Sequence, residues 1–471
     1  MTNFIKEKVP RYMQYVTVFS ASLASFCALM VGTWASPSIP RLLSKNSPIG
    51  VTLNHQEASW VTSAPPLGFT LGSLLTPVIL DVIGPKRSLL LAALPLTIAW
   101  FGTAFSKSAV LLILMRFIAG LADGGILTAS LKILPLYVGE VSDKDIRGKL
   151  ITFHTIVACM GSLFVLSIGP FIQYQTLALT CGIFPLIFVA IFYFMPDSPY
   201  FLIKKGKLVE GKRSLRRLLA VNASQNAIEA RLNEIEQTIA KSIGTRRKVN
   251  LWHILSERHF RIALFFSLNL KLIFGVSGWT TIKAFLQTII GAAASSISPQ
   301  SSSLILGILQ LPSVTVAAFL VDKLGRKALL VVSSVGCAIT MGIVGLYFYL
   351  QDVVKADLQM VSWLPTICIA LYLSFLPMGI FTVSSVIPGE IFADNVKSLS
   401  AAISVTFSGS WTFLVSKFFL QISDAWGMYA MFWIFSAVCC YGALFGLFIL
   451  PETKGKSFIE IQNSLKQKRY C

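Results

Sequence analysis

The sequence predicts an all-α membrane protein of twelve transmembrane helices arranged as two six-helix bundles. Three observations carry this: the composition, the recurrence of long uncharged runs, and a charged punctuation that appears twice in the same order. Of 471 residues, 55% are hydrophobic and only 13% are charged, too little charge to cover a soluble surface. Mean hydropathy is +0.72. Inside a bilayer the backbone must satisfy its own hydrogen bonds, so uncharged runs of this length are expected to be helices.

Runs at 12–40, 58–80 and 88–106, with the stretch around 109–137, supply spans one to four. The run 150–196 is 47 residues long, and "GPFIQYQ" at 169–175 divides it into a fifth and a sixth span. Each has about 20 residues, enough for a bilayer. Residues 260–290, 303–321, 328–351, 358–389, 398–416 and 425–451 supply the remaining six. The expected organisation is an N-terminal bundle (1–196), a cytoplasmic helical linker (197–258), a C-terminal bundle (259–450) and a tail (451–471). Lys6, Lys8 and Arg11 precede an apolar run too long for a signal-peptide core, so no cleavable leader is expected.

Basic residues set the orientation. With both termini in the cytoplasm, 31 of the 40 Lys and Arg fall on cytoplasmic segments, five lie within spans, and Arg41, Lys45, Lys107 and Lys355 fall outside. This bias accounts for the net charge of +19 without any nucleic acid partner. Seven of the eight cysteines sit in spans and Cys471 is terminal, so no disulfide framework is expected. No metal-ligand spacing or catalytic constellation is present, and only His154 of the four histidines lies in a span. The sequence therefore points away from an enzyme, and no cofactor is implied. "ETKGKS" ends in Gly-Lys-Ser, but Leu450 occupies the position where a phosphate-binding loop needs its first glycine. ATP is not the expected driver.

The two halves repeat three signals. "LDVIGPKRSLL" from Leu80 matches "VDKLGRKALL" from Val321; "GEVSDKDIRG" matches "GEIFADNVKS"; and "MPDSP" matches "LPETKGKS". Acid and base lie seven residues apart in both middle motifs, Glu140 with Arg147 and Glu390 with Lys397. A duplicated six-span unit around a central pathway explains the pattern.

These motifs, with "RFIAG" at 116–120 and "PETKG" at 451–455, resemble the sugar-porter branch of the major facilitator superfamily over nearly the whole chain. Within it the sequence is most similar to hexose facilitators and insect-type facilitated trehalose transporters. The resemblance implies a small polar solute, a sugar or something similar, moved by alternating access at the plasma membrane. The acid that proton-coupled members carry in the first span is absent here, which favours facilitated diffusion. A solute of anionic or non-sugar character, and a non-transporting ligand sensor on the same scaffold, are the other readings.

The charged motifs are expected to act as an inner clamp. Asp81, Lys86, Arg116, Glu140, Arg147 and Asp197 would serve the first half, and Asp322, Arg326, Lys327, Glu390, Lys397 and Glu452 the second. The family's arginine in the first turn is Pro85 here, its arginine after the tenth span is Lys397, and Tyr200 stands where another is usual. A weakened clamp, resting inward-open, is the expectation. In the linker, Ile228, Leu232, Ile235 and Ile239 form one apolar stripe, and Asn226 with Glu229 resembles a capping box. The run "KKGKLVEGKRSLRR" would face anionic lipid headgroups.

The positions that hold sugar in the family map to Thr155, Phe274, Gly275, Ser277, Thr280, Ser385, Ser408 and the displaced Trp411. Most family glutamines and asparagines are missing there, so an ordinary glucose site is in doubt. Ser277 and Gly278 mark a segment able to unwind. Lys283 follows in the same span, with Lys271 before it. Lys283 has three readings: a lysine in water near the outer mouth, an ion pair with an acid such as Asp123, or a cation facing the ligand.

Overall fold

The computed structural model describes residues 12–460, except 142–143, 220–224, 245–256, 294–297, 393, 455 and 457–459. The first half contains α1 (Tyr12–Thr33), α2 (Ala35–Leu42), α3 (His55–Ile83), α4 (Pro85–Ala104), α5 (Ala109–Val141), α6 (Lys144–Ile168) and α7 (Tyr174–Phe192). The linker supplies α8 (Pro199–Lys204), α9 (Leu208–Leu219) and α10 (Gln225–Gly244). The seventh span is broken into α11 (Arg258–Val276), α12 (Trp279–Ala284) and α13 (Leu286–Ala292). Then follow α14 (Pro299–Leu324), α15 (Arg326–Tyr349), α16 (Leu364–Leu376), α17 (Thr382–Ile391), α18 (Asp394–Trp426) and α19 (Met428–Leu444).

Ten helical stretches among the described residues are long and apolar enough to cross a membrane. α6, with 25 residues, and α14, with 26, are also long enough at about 1.5 Å per residue, which brings the spans to twelve.

Small residues decide the closest packing. Between lipid-facing helices there is no hydrophobic gain, so tight van der Waals approach must hold them. Gly68 and Gly72 on α3 face Gly120 and Gly124 on α5, each pair spaced by four. A Cβ at Gly68 would lie 2.2 Å from the Phe117 carbonyl oxygen, and one at Gly120 would lie 2.1 Å from that of Pro65. Within the halves, α1 packs on α5 and α6, and α15 packs on α16 and α19. The halves meet where α3 runs along α18 and α6 along α14.

The linker stripe is buried as expected. Ile228, Leu232, Ile235 and Ile239 join Ile203 and Leu215 in a small core of their own beside the membrane bundles. The capping reading is corrected: α10 already begins at Gln225, so Asn226 lies inside its first turn rather than at its cap. The duplication is visible in the backbone. Gly84 (φ 87°, ψ 168°) and Gly325 (φ 87°, ψ 161°) adopt the same positive-φ turn between consecutive spans, a conformation that disfavours any side chain.

Candidate transport pathway and its gates

The seventh span breaks where Ser and Gly adjoin. Gly278 is left-handed (φ 91°), and a Cβ there would lie 2.7 Å from the Phe435 ring. A break frees backbone carbonyls, which cost several kcal/mol if left unpaired in hydrocarbon, roughly 4–8 in alkane transfer. Tyr372 donates its hydroxyl to the Ser277 carbonyl at 2.8 Å, so the break is held rather than loose. Thr281 and Ser416 hydroxyls meet at 3.0 Å and tie α12 to α18.

Around this break lie several residues expected to touch the solute. Gly275 packs against α18, its Cβ position 3.0 Å from the Ser408 carbonyl oxygen and 3.1 Å from Trp411 Cβ. Phe274 and Phe381 rings lie 5.5 Å apart, and Phe407 and Trp411 rings 6.3 Å apart. Thr280 is half-buried and Ser385 is exposed, with its hydroxyl returned to the Phe381 carbonyl. Thr155 is half-buried on α6, in the other half. Its neighbour His154 meets the Ser22 hydroxyl at 2.9 Å, within the N-terminal bundle. The wall is therefore aromatic and hydroxylated, with few amides.

Lys283 is nine-tenths buried, with 9% relative exposure. The side chain is thus mostly enclosed by protein rather than standing free in water. Its ammonium lies 4.8 Å from the Trp279 ring centroid. Among the described residues it pairs with no carboxylate, so the Asp123 reading is corrected. Asp123 lies on α5, with Oδ1 buried and unpaired. A cation–π contact supplies roughly 0.5–2 kcal/mol, less than the several kcal/mol that burying an ammonium costs.

Arg116, expected in the clamp, instead forms an aromatic cage deep in the first half. Its guanidinium lies 4.6 Å from the Trp34 ring and 5.8 Å from Trp100, and Nη2 donates to the Val31 carbonyl.

The basic face carries the duplicated motifs. In the second half Arg326 donates from Nε and Nη2 to Glu390 Oε1, at 3.2 and 2.8 Å. Thr453 donates to the other Glu390 oxygen at 2.6 Å. Glu452 accepts from the Arg326 and Lys327 backbone N–H groups, both at 3.1 Å, and from Lys454 N–H at 2.9 Å. That is a carboxylate capping the N-terminus of α15. Burial acts to raise the Glu452 carboxyl, but these N–H groups hold it below the ordinary glutamate value. The described contacts of the first half differ. Asp81 and Lys204 approach to 3.7 Å, and Lys86 donates to the Tyr193 carbonyl at 2.8 Å. Asp197 accepts from Ser214 through its backbone carbonyl. Arg326 and Glu390 thus join two elements of the second half, and Asp81 with Lys204 ties α3 to the linker. The side chains of Glu140, Arg147, Asp322 and Lys397 lie outside the described residues.

The opposite face is latched across the halves, by residues that sequence reasoning missed. His55, at the start of α3, meets Asp424 at 2.6 Å near the end of α18. Lys417 lies 4.1 Å from the Trp60 ring centroid and donates to the Gln56 carbonyl at 3.4 Å. Trp60 and Phe413 rings are 6.1 Å apart. The one signal in the sequence was Lys417, the charge that ends the uncharged run in the eleventh span.

Known proteins share both the sequence and the fold. The family model described as "Sugar (and other) transporter" matches residues 13–465. The facilitated trehalose transporter Tret1 of Bombyx mori is 28% identical over 459 residues, covering 98% of this chain and 88% of that protein. Tret1 of Apis mellifera ligustica is also 28% identical, over 461 residues, covering 97% and 89%. Among solved structures, the inward-open xylose transporter XylE of E. coli superposes with TM-score 0.76 at 20% identity, covering 96% of this chain and 99% of that one. XylE bound to 6-bromo-6-deoxy-D-glucose superposes with TM-score 0.71 at 20% identity, covering 96% and 100%. The chain belongs to the sugar (and other) transporter family and is a multi-pass membrane transporter of the major facilitator fold, not an enzyme.

Proposed function

We propose that the chain is a facilitator that moves a sugar, a hexose or trehalose, or a similar polar solute down its gradient by alternating access. The observation that carries this reading is the pair of unlike faces. One face is sealed by contacts that cross the halves, His55 with Asp424 and Lys417 with Trp60, while on the other face the described pairs are Arg326 with Glu390 in the second half and Asp81 with Lys204 of the linker. That is one of the two end states alternating access needs, with the broken seventh span between them. The trehalose relatives, matched over nearly their full length, support a sugar-sized solute. Aromatic rings around Trp411 and Phe274 suit the C–H faces of a pyranose, and hydroxyls such as Thr280 suit its rim.

In this reading the protein sits in the plasma membrane with both termini cytoplasmic. Residues 1–196 and 259–450 are the rocking bundles, and the basic surface of α8 and α9 lies on anionic headgroups. The duplicated charges, including Glu140, Arg147, Asp322 and Lys397, form the inner door.

Counterflow in protein-loaded liposomes tests the proposal. Labelled trehalose, glucose and fructose are supplied outside, with the same unlabelled sugar inside and no imposed proton gradient. Saturable uptake of at least one is expected. Folded protein giving no saturable flux, or flux only with an inward proton gradient, would contradict it.

A further inference from the structure

We propose that the solute this transporter favours carries a negative charge, as a sugar acid does, and that Lys283 is the cation that receives its carboxylate. The inference deepens the proposed function and rests on it.

Three observations converge on one place. First, Lys283 is nine-tenths buried on α12, and among the described residues its ammonium has a ring and no acid for company. The seventh span keeps this charge where a neutral residue would pack without penalty. Second, α12 is one of the pieces of the C-terminal half that meet the first half: it packs against α1 and α2. The ammonium therefore lies where the halves meet and the pathway must run.

Third, other polar groups in the same contact region have no partner among the described residues. They are Gln287 Nε2 on α13 and the hydroxyls of Ser36 and Ser38 on α2, the helix against which α12 and α13 pack. Buried polar atoms are nearly always paired in a settled protein interior. Unpaired donors on the helices that pack beside Lys283 are what a bound polyhydroxy carboxylate would satisfy: the carboxylate on the ammonium, its hydroxyls on the amide and serines. Lys271 adds a second cation. It is half-buried on α11, one turn before Gly275 and on the face turned toward α18, again with no acid partner among the described residues.

The same feature accounts for what the pathway lacks. A neutral pyranose is recognised by amides with paired donors and acceptors. Phe274, Gly275 and Thr280 stand at those positions here, while the charge lies a few residues on.

The test is uptake of labelled D-glucuronate and D-glucose into the same protein-loaded liposomes, for wild type, Lys283→Arg and Lys283→Met. The wild type is expected to favour glucuronate over glucose by about ten- to hundredfold in kcat/KM, the range of a charge-assisted hydrogen bond. Lys283→Met should erase most of that preference through KM, and Lys283→Arg should keep part of it. Glucose uptake without glucuronate uptake would overturn the inference and leave the proposed function standing. Neither moving, from folded protein that carries trehalose or fructose, would overturn the inference alone; no flux of any of the four sugars would overturn both. A glucuronate preference unchanged in Lys283→Met would overturn the role of Lys283. The wild-type preference is read without any variant, so a substitution that fails to fold leaves the test intact.

Discussion

The two inner turns of this molecule share a backbone and differ in what they hold. Gly84 and Gly325 have the same positive φ, and each opens the next span. In the second half the following residue is Arg326, whose N–H reaches Glu452 and whose guanidinium reaches Glu390. In the first half it is Pro85, which has no N–H to give and no charge. Asp197, the counterpart of Glu452, cannot receive the same hydrogen bond from position 85. Lys86 turns instead to the Tyr193 carbonyl. Pro85 thus lacks both of the links that Arg326 makes at the equivalent turn.

Four experiments probe that asymmetry. Removing the strong side should have the largest effect. Arg326→Ala leaves Glu390 half-buried without its guanidinium and should cost about 1–3 kcal/mol, whereas Lys86→Ala should cost less than about 1. Thermal unfolding of the two variants in detergent would compare them, and equal losses would erase the distinction.

Building up the weak side comes next. Pro85→Arg restores the N–H and the charge, and should strengthen the first-half network by about 1 kcal/mol. The readout is accessibility of a cysteine placed on the basic face, which should fall severalfold. The latch on the opposite face offers a smaller effect, because His55 and Asp424 are each about half exposed. Asp424→Asn should shift the balance between the two doors by no more than about 1 kcal/mol, about fivefold, toward opening of that face. Fluorescence of a probe at exposed Val51 would report it.

The smallest effect concerns pH. Glu452 is held below its ordinary value, so its contribution is complete above about pH 4.3 and is lost as the pH falls through the lowered value. Unfolding midpoints measured between pH 6 and 3 should fall less steeply in Glu452→Gln than in wild type.

Much of this was legible in the sequence, for identifiable reasons. Spans are set by local hydropathy, and the duplication by motifs that each occupy about ten residues. The break at Ser277 and Gly278 was also legible, because a glycine beside a hydroxyl residue can leave the helix without strain. Contacts between distant residues were not. His55 and Asp424 are 369 positions apart, and no periodicity links them. The burial of Lys283 was equally hidden, since an isolated span places it near an outer end and only the docking of α12 on α1 and α2 encloses it. Arg116 was misjudged because its partners are Trp34, between α1 and α2, and Trp100 on α4, neither of them near it in sequence.

The central claim is that the face bearing His55 and Asp424 opens and closes as the solute passes. Spin labels at Val51 and Trp426, both exposed and on opposite halves, would measure it by pulsed electron resonance, with exposed Cys440 replaced. Two distance populations are expected: the shorter dominates without solute, and the longer grows when transported sugar is added. A single population that no solute and no Asp424→Asn substitution can move would contradict it.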